Sequence, residues 1–272
     1  MDVTFLKIAA LFYLLAGVSF TLYVFFQRDT VSKLSPLISA CGFAAHTAAL
    51  GAHFFQTGYP NVTQFREALS LYSWVIVAAY LVVHFKYRLS VLGSIIAPLA
   101  FLMTLAAFAF GTGSEALPPE LKSYWLPVHV TVAFLGNAAF ALAFGVSLIY
   151  LLAERRLKLK KMTALMKRLP SLETLDRLNY VFLVWGFPLM TLGIVSGSMW
   201  AAIHWGSYWS WDPRQISSGI AWLFYGALLH GRSTGLRGRK AALLTTFGFC
   251  VVIGYFLLGD AIFPSLHGGL FY

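Results

Sequence analysis

Four tryptophans, one tyrosine and one histidine fall within the fourteen residues from Trp200 to Pro213, which hold half of the chain's eight tryptophans. An aromatic belt at a membrane boundary usually explains only one or two tryptophans at a helix end. Indole rings at this density predict a flat apolar surface, suited to stacking a large planar ligand such as a macrocycle. Gly206 lets the backbone approach that ligand, and Asp212 before Pro213 indicates the start of a helix.

The composition of the chain places this tryptophan-rich loop in a membrane protein. Of the 272 residues, 59% are hydrophobic, 17% are aromatic and only 11% are charged, and the mean hydropathy is +0.73. A soluble domain carries about 25% charged residues. Eight spans of about 20 residues leave connections too short for a separate folded soluble domain. We therefore predict an all-α, polytopic membrane helix bundle in which residues 1–272 form a single integral membrane domain.

Eight apolar runs predict eight transmembrane helices. The runs are Phe5 to Phe26, Pro36 to Phe55, Leu69 to Phe85, Leu89 to Gly111, Val128 to Leu152, Val181 to Trp200, Ile216 to Leu229 and Ala241 to Gly259. The seventh run is short, but Asp212-Pro213 before it and His230-Gly231 after it are helix start and stop signals. The segment from Met1 lacks a basic stretch and a cleavage site, so the first run is expected to be kept as a span.

The basic residues predict the orientation of the bundle, because cytoplasmic loops retain Lys and Arg during insertion. One set of loops carries sixteen of the twenty Lys and Arg and a net charge of +12, whereas the opposite set carries −2. Both termini, and the tryptophan-rich loop at about residues 200–215, are therefore predicted to lie outside the cytoplasm. The positive charge is spread over four separate loops, so it indicates contact with lipid headgroups of the bilayer and no binding of nucleic acid.

The longest basic loop covers about residues 154–179 and faces the cytoplasm in this orientation. Apolar residues recur in it at helical spacing before Pro170 breaks the pattern, and they are Met162, Leu165, Met166 and Leu169. This pattern predicts an interfacial amphipathic helix. A solvated charged connector without fixed structure is the alternative.

Gly193 and Gly197 form a G-x-x-x-G pair in the sixth apolar run. Residues four apart share one face of a helix, so the pair allows a second helix to approach closely. Packing within this chain is favoured over dimerisation.

The segment W-G-S-Y-W-S-W-D-P, preceded by G-S-M-W-A, resembles the tryptophan-rich WWD signature of the cytochrome c assembly family, which includes CcsA, CcmC, CcmF and HemX-type proteins. The similarity covers about the last 150 residues and includes W-L-P-V-H-V at His129, L-D-R-L-N-Y, A-W-L-F-Y-G-A-L-L-H ending at His230, and F-P-S-L-H at His267. The earlier segment G-Y-P-N-V-T-Q-F-R-E-A-L-S-L-Y-S-W looks like a looser version of the family's outer loop between the second and third helices. The eight predicted spans agree with CcsA and HemX better than with the six-span CcmC.

The resemblance implies that two outward-facing histidines flanking the loop ligate haem iron, and here they match His129 and His267. Their predicted placement supports the pairing, because His129 opens the fifth helix at its outer end and His267 follows the eighth helix on the same side. Imidazole is a common axial ligand of haem iron. The remaining candidate haem-binding residues of the loop are Trp205, Trp209, Trp211 and Asp212.

The other five histidines carry separate hypotheses. His230 resembles the intramembrane haem ligand of CcsA-type proteins, with a partner of the helix C-terminal dipole as the alternative. His84 ends the third helix, where it either faces His230 as a haem contact or is a boundary residue. His46 lies near mid-span, where an ionisable group is a functional candidate. His53 is expected to snorkel towards the outer boundary, and His204 to hydrogen-bond the backbone within the loop.

The resemblance implies a membrane protein of cytochrome c maturation that binds haem b, handles or translocates it, and presents it at the outer face for covalent attachment to apocytochrome c. The chain contains no C-x-x-C-H segment, so we interpret it as an assembler and not as the cytochrome. The resemblance also implies a CcsB-type membrane partner and a role as the haem-presenting subunit of a cytochrome c synthase, with no catalytic residue assigned. The expected location is a bacterial-type inner membrane or an equivalent energy-transducing membrane.

Departures from the family pattern keep a second function open. Arg214-Gln215 replaces the Lys-Glu that typically follows W-D-P, although Arg214 keeps a cation for a haem propionate. Gly268-Gly269 replaces the typical Ser-Tyr after His267. The alternative function is that of a HemX-type membrane regulator of haem biosynthesis. A metal-dependent membrane enzyme is disfavoured, because the sequence has neither H-E-x-x-H nor a cluster of histidines and acids at ligand spacing.

Overall fold

The structure is a computed structural model that describes residues 3–26, 28–58, 65–109, 125–160 and 169–262. Within these ranges it contains eight α-helices and no β-strand, which confirms the predicted all-α class. The helices are α1 (Val3–Phe26), α2 (Asp29–Thr57), α3 (Phe65–Tyr87), α4 (Ser90–Ala109), α5 (Trp125–Lys158), α6 (Leu172–Trp205), α7 (Pro213–Ser233) and α8 (Gly238–Ile262). Among these helices, all except α7 are long and apolar enough to cross a membrane. The chain is a multi-pass membrane helix bundle.

α7 returns across the bundle, although it is less apolar than the helices around it. Its 21 residues span about 30 Å, the thickness of the hydrocarbon core of a bilayer. Near the last residues of α7, Arg232 forms an ion pair with Asp176, the fifth residue of α6. Asp176 also accepts a hydrogen bond from the backbone N–H of Gly238, the first residue of α8. α6 and α8 therefore begin at the end of the bundle where α7 ends, so α7 runs from the tryptophan-rich loop to the opposite end.

All the described helices except α4 extend beyond the apolar runs that predict them, and the extension is longest in α2, α5 and α6. α2 begins at Asp29, so Pro36 lies inside the helix and does not start it. α5 and α6 have 34 residues each, and both ends of the predicted inner loop are therefore helical up to Lys158 and from Leu172. Polar turns lengthen these helices and α7, and an apolar run does not detect polar turns. The predicted amphipathic segment lies largely outside the described residues, including Met162, Leu165 and Met166.

The G-x-x-x-G pair of α6 packs against α5. A Cβ atom on Gly193 would lie 3.0 Å from the Cα of Ala133, and a Cβ on Gly197 would meet the imidazole of His129. The two glycines thus bring the backbones of α5 and α6 together within one chain, as predicted.

The hydrophobic core links most of the helices, and a second, smaller cluster lies next to the tryptophan-rich loop. In the main core the rings of Phe140 and Tyr225 stack with their centroids 3.7 Å apart, which joins α5 to α7. The second cluster has Leu126 and Trp200 at its centre, and we call it the outer cluster. Leu71, Val130 and Trp205 pack against it. α3, α5 and α6 therefore meet below the loop.

Candidate functional site

His129 lies in the second turn of α5, and its imidazole contacts the last part of α6. Its Nδ1 is 2.9 Å from the carbonyl oxygen of Gly193 and 3.2 Å from Oγ of Ser196. A carbonyl oxygen only accepts hydrogen bonds, so Nδ1 donates and carries the ring proton. Nε2 then carries the lone pair, which is the form of imidazole that coordinates a metal. The contact with α6 thus sets the tautomer of the predicted ligand.

Gly197 makes room for the imidazole of His129 on α6. A Cβ atom at this position would lie 2.5 Å from Cε1 and 3.1 Å from Nε2 of the ring. Trp125, one turn before His129, donates its indole N–H to the carbonyl oxygen of Ser196 at 2.9 Å. Two side chains of α5 are therefore fixed on the same turn of α6, and His129 is half-buried there.

Trp200 anchors the last turns of α6 beneath the loop. It is 3% exposed, stacks on His204 with ring centroids 4.6 Å apart, and lies edge to face with Trp205. Nδ1 of His204 lies 3.2 Å from the carbonyl oxygen of Trp200, which confirms the predicted backbone hydrogen bond. The buried indole N–H of Trp200 has no hydrogen-bond acceptor among the described residues. A buried donor of this kind is stabilised when a ligand oxygen binds beside it.

The exposed part of the loop presents two indole rings at a right angle. Gly206 ends α6 in the left-handed conformation, with φ +73°, and Trp211 also has a positive φ, of +58°. The rings of Trp209 and Trp211 are inclined by 89° with centroids 5.7 Å apart. The prediction of one flat indole surface is therefore wrong. Edge-to-face contact is a preferred arrangement of neighbouring aromatic rings, and the backbone turn at Trp211 produces it here.

The loop is attached to the first turn of α7 by side chains. Asp212 is 3% exposed, and its carboxylate accepts the backbone N–H of Arg214 at 2.9 Å. Oε1 of Gln215 accepts two hydrogen bonds from Ser210, from the backbone N–H at 2.8 Å and from the hydroxyl at 3.1 Å. In the sequence, Gln215 stands out only as a departure from the family pattern. Gln215 lies three residues after Asp212, which caps α7. A glutamine at this position commonly hydrogen-bonds the backbone before the helix, so its position indicates such a contact.

His53 is buried, and the prediction that it snorkels outwards is wrong. Its Nε2 lies 3.1 Å from Oε1 of Glu67, and the two side chains are 11% and 5% exposed. A buried carboxylate requires a partner, which explains why the histidine points inwards. Glu67 lies one helical turn before Leu71, which packs on the outer cluster, so the contact between His53 and Glu67 borders the site. No pattern in the sequence distinguishes Glu67 as a partner of His53.

His46 joins three helices in the interior. It is fully buried, with Nδ1 at 3.2 Å from the hydroxyl of Tyr13 and Nε2 at 2.8 Å from Oγ of Ser70. Both ring nitrogens are therefore hydrogen-bonded to neighbouring helices, and this gives His46 a structural role in the interior.

His84 and His230 lie near the ends of α3 and α7. α3 packs mainly on α2, α4 and α5, whereas α7 packs mainly on α6 and α8, so the two helices are not principal neighbours. Nδ1 of His84 is buried and has no hydrogen-bond partner in the described part of the chain, whereas His230 is exposed. His267, the second predicted outer ligand, lies outside the described residues.

Comparison with known sequences agrees with the resemblance. Residues 62–260 match the family profile described as Cytochrome C assembly protein. The cytochrome c biogenesis protein CcsA of Microcystis aeruginosa (strain NIES-843 / IAM M-2473) is 32% identical over 268 residues, which cover 79% of this chain and 82% of that protein. CcsA of Prochlorococcus marinus (strain AS9601) is 31% identical over 289 residues, with coverage of 97% and 93%.

Comparison with solved structures gives the same fold. The structure of Cytochrome c Heme Lyase CcmF matches with a TM-score of 0.59 and 17% sequence identity, over 98% of this chain. The match covers 49% of the CcmF chain, so this chain spans about half of that length. Because the family profile matches most of its residues, the chain belongs to the cytochrome c assembly protein family.

Proposed function

We propose that this protein binds haem b at the outer end of the bundle and presents it for covalent attachment to apocytochrome c. The proposal rests on the orientation of His129, whose Nδ1 is hydrogen-bonded to the carbonyl oxygen of Gly193. His129 lies at the same end of the bundle as the tryptophan-rich loop. Gly197, against which the imidazole packs, is eight residues before Trp205, about 12 Å along α6. This separation is comparable to the width of a porphyrin.

Each residue of the proposed site has a distinct role. His129 would hold the iron through Nε2, and His267 would be its second ligand. The rings of Trp209 and Trp211 are perpendicular, so one of them would stack on the face of the macrocycle and the other would contact its edge. Trp205 supports this surface from the end of α6, and Asp212 fixes the start of α7. Arg214 supplies a cation for a propionate.

The chemistry of attachment needs positioning from this chain and no redox reagent. Bound haem supplies two vinyl groups, and each thiol of the C-x-x-C-H segment adds across one of them. The sulfur bonds to one vinyl carbon and the thiol proton is transferred to the other, so electrons and atoms balance. The residues of this chain hold the porphyrin plane and leave one edge open to the peptide.

A CcsB-type membrane partner is part of the proposal, and α7 is the helix that supports it. Five of its seven exposed residues recur at intervals of four and three, which is the spacing of a seam between two packed helices. They are Ile216, Ile220, Leu223, Ala227 and His230, and Trp222 and Ser233 are exposed as well. α7 is also the one described helix that is not apolar enough to count as a span by composition. His230 at the inner end of the seam is the candidate ligand of an inner haem.

An assembly role is supported over a HemX-type regulatory role, because the relatives named above are cytochrome c biogenesis proteins. The proposed location is the bacterial inner membrane or an equivalent energy-transducing membrane, where c-type cytochromes function. Maturation of a reporter cytochrome c, with and without the gene, separates the two roles. Assembly requires that maturation is lost without the gene, whereas a regulator changes the amount of haem and leaves attachment intact.

The ligand assignment is tested by haem spectra of His129→Gly and His267→Gly, recorded before and after addition of imidazole. We expect each variant to lose the parental spectrum and imidazole to restore it in part, because the small ligand refills the vacated position. His204→Gly is the comparison variant: the ring of His204 bonds the backbone of Trp200 and is not a proposed ligand, so imidazole should not restore any spectral change that this variant shows. Parental spectra in both variants without imidazole would show that the outer ligands are wrongly assigned.

A further inference from the structure

We propose that Gln215 is a positioning residue of the haem site, whose side-chain oxygen holds the segment Trp209–Trp211 in its binding conformation. This inference rests on the function proposed above. It is carried by the hydrogen bonds of Ser210 and by the backbone conformation of Trp211.

Trp211 is the residue that has to be held. Its φ of +58° lies in the left-handed region, which residues other than glycine, asparagine and aspartate avoid. Its side chain is 74% exposed, so its own packing contributes little to that conformation. A strained conformation persists only where the surrounding structure enforces it. The residues on either side of Trp211 must therefore supply the restraint.

Both neighbours of Trp211 are hydrogen-bonded to the first turn of α7. On the far side, the carboxylate of Asp212 accepts the backbone N–H of Arg214 at 2.9 Å. On the near side, the backbone N–H and the hydroxyl of Ser210 lie 2.8 Å and 3.1 Å from Oε1 of Gln215. Both groups of Ser210 act as donors here, so the amide oxygen, and not the nitrogen, faces them.

The bond to Ser210 is separate from the cap of α7. Gln215 is the third residue of the helix, from which a side chain commonly reaches back to the backbone of the capping residue. Here it reaches two residues further, into the loop, while Asp212 caps the helix. Loss of the Gln215 oxygen therefore releases Trp211 and leaves the helix cap in place.

The two indole rings depend on Gln215 to different degrees. The ring of Trp209 packs near Gly219 of α7. A Cβ atom added to Gly219 would lie 3.6 Å from the nearest ring atom, so α7 itself supports Trp209. The ring of Trp211 contacts only that of Trp209 among the ring contacts of the described residues, and the hydrogen bonds of Ser210 and Asp212 hold its backbone on either side. When the acceptor at position 215 is removed, Trp211 relaxes to a negative φ and its ring leaves the right-angled arrangement with Trp209. The requirement is for an acceptor oxygen, so a carboxylate at position 215 satisfies it as well as the amide does.

The experiment is a haem titration of the purified full-length protein, comparing the parent with Gln215→Glu and Gln215→Leu. Glutamate keeps the oxygen acceptor, and leucine has a similar size with no acceptor. We expect Gln215→Glu to bind haem within about twofold of the parent and Gln215→Leu about tenfold more weakly, a loss of about 1.4 kcal/mol. The amount inserted in the membrane should be equal, and Gln215→Met replaces the leucine variant if that variant is not inserted.

Ser210→Ala provides a second measurement, because it removes only the hydroxyl bond and keeps the backbone N–H bond to Gln215. We expect a loss smaller than that of Gln215→Leu. Parental affinity in Gln215→Leu overturns the inference, and so does an equal loss in the Glu and Leu variants. A parent protein that binds no haem refutes the proposed function itself, so the two failures are distinguishable.

Discussion

Gly197 determines how closely the imidazole of His129 approaches α6. An alanine there would place Cβ 2.5 Å from Cε1 of the ring, so the ring must move and its bond to the carbonyl of Gly193 is lost. Overpacking of this kind costs about 1–3 kcal/mol. We expect Gly197→Ala to lose most of its bound haem, measured from the absorption spectrum of the purified protein.

Gly254→Ala is the matched control for this substitution. Gly254 also lies in a helix, but a Cβ atom there meets no other atom within 4 Å. Alanine favours a helix over glycine by up to about 1 kcal/mol, so the control should retain parental haem content. An equal loss of haem in both variants would show that the effect is general and that Gly197 has no specific role at His129.

The candidate residues could be read from the sequence, but the contacts that orient them could not. The tryptophan-rich loop and His129 stand out through local pattern. The bond from His129 to Gly193 joins residues 64 positions apart, and it exists only because α5 packs on α6. The right angle between the rings of Trp209 and Trp211 follows from the positive φ of Trp211. Tryptophan usually avoids a positive φ, so the composition of the loop does not predict this arrangement.

At the scale of the helices, the carboxylate of Asp176 joins the ends of α6, α7 and α8. It accepts hydrogen bonds from Arg232, including one of 3.0 Å from Nη2 to Oδ2, and from the backbone N–H of Gly238 at 2.8 Å. The Arg232 side chain is 4% exposed and its guanidinium lies over the ring of Tyr180. His230, the candidate ligand of an inner haem, lies in the same last turn of α7 as Arg232. The ion pair therefore also fixes the position of His230 along the bundle.

Removal of the carboxylate leaves a buried, unpaired guanidinium, which costs about 3–5 kcal/mol. We expect Asp176→Ala to lower the free energy of unfolding in detergent by about that amount, seen as a large drop in Tm. Lys158→Ala is the control, because the Lys158 side chain is 62% exposed in its pair with Glu154 and such surface pairs contribute about 0–1 kcal/mol. A similar Tm for both variants would contradict the special role of Asp176.

The apolar runs located all eight described helices, because crossing a bilayer requires a stretch of apolar residues of fixed length. The same runs misplaced several ends, because caps and polar turns set the ends of a helix. Ser171 starts α6 by accepting the backbone N–H of Thr174 at 3.2 Å, ten residues before the predicted start at Val181. The apolar run placed the start of α2 at Pro36, whereas the helix begins at Asp29 with polar residues and accommodates the proline inside it.

At the scale of the whole molecule, the candidate outer site and the basic helix ends lie at opposite ends of the bundle. α6 runs 34 residues from Leu172 to the tryptophan-rich loop, about 51 Å along its axis. The basic last turn of α5, with Arg155, Arg156 and Lys158, lies at the end opposite to His129. The positive-inside rule places such basic turns in the cytoplasm, so the site is predicted to face outwards.

This orientation is tested with a reporter enzyme that is active only outside the cytoplasm. Fused after Tyr272, the reporter should be active, and inserted between Lys158 and Arg168 it should be inactive, because the loops at that end carry most of the +12 charge. A second reporter, active only inside the cytoplasm, should give the reverse result at both positions. If both reporters gave the opposite pattern, the tryptophan-rich loop and His129 would face the cytoplasm, and presentation of haem to an exported apocytochrome would no longer be possible from this site.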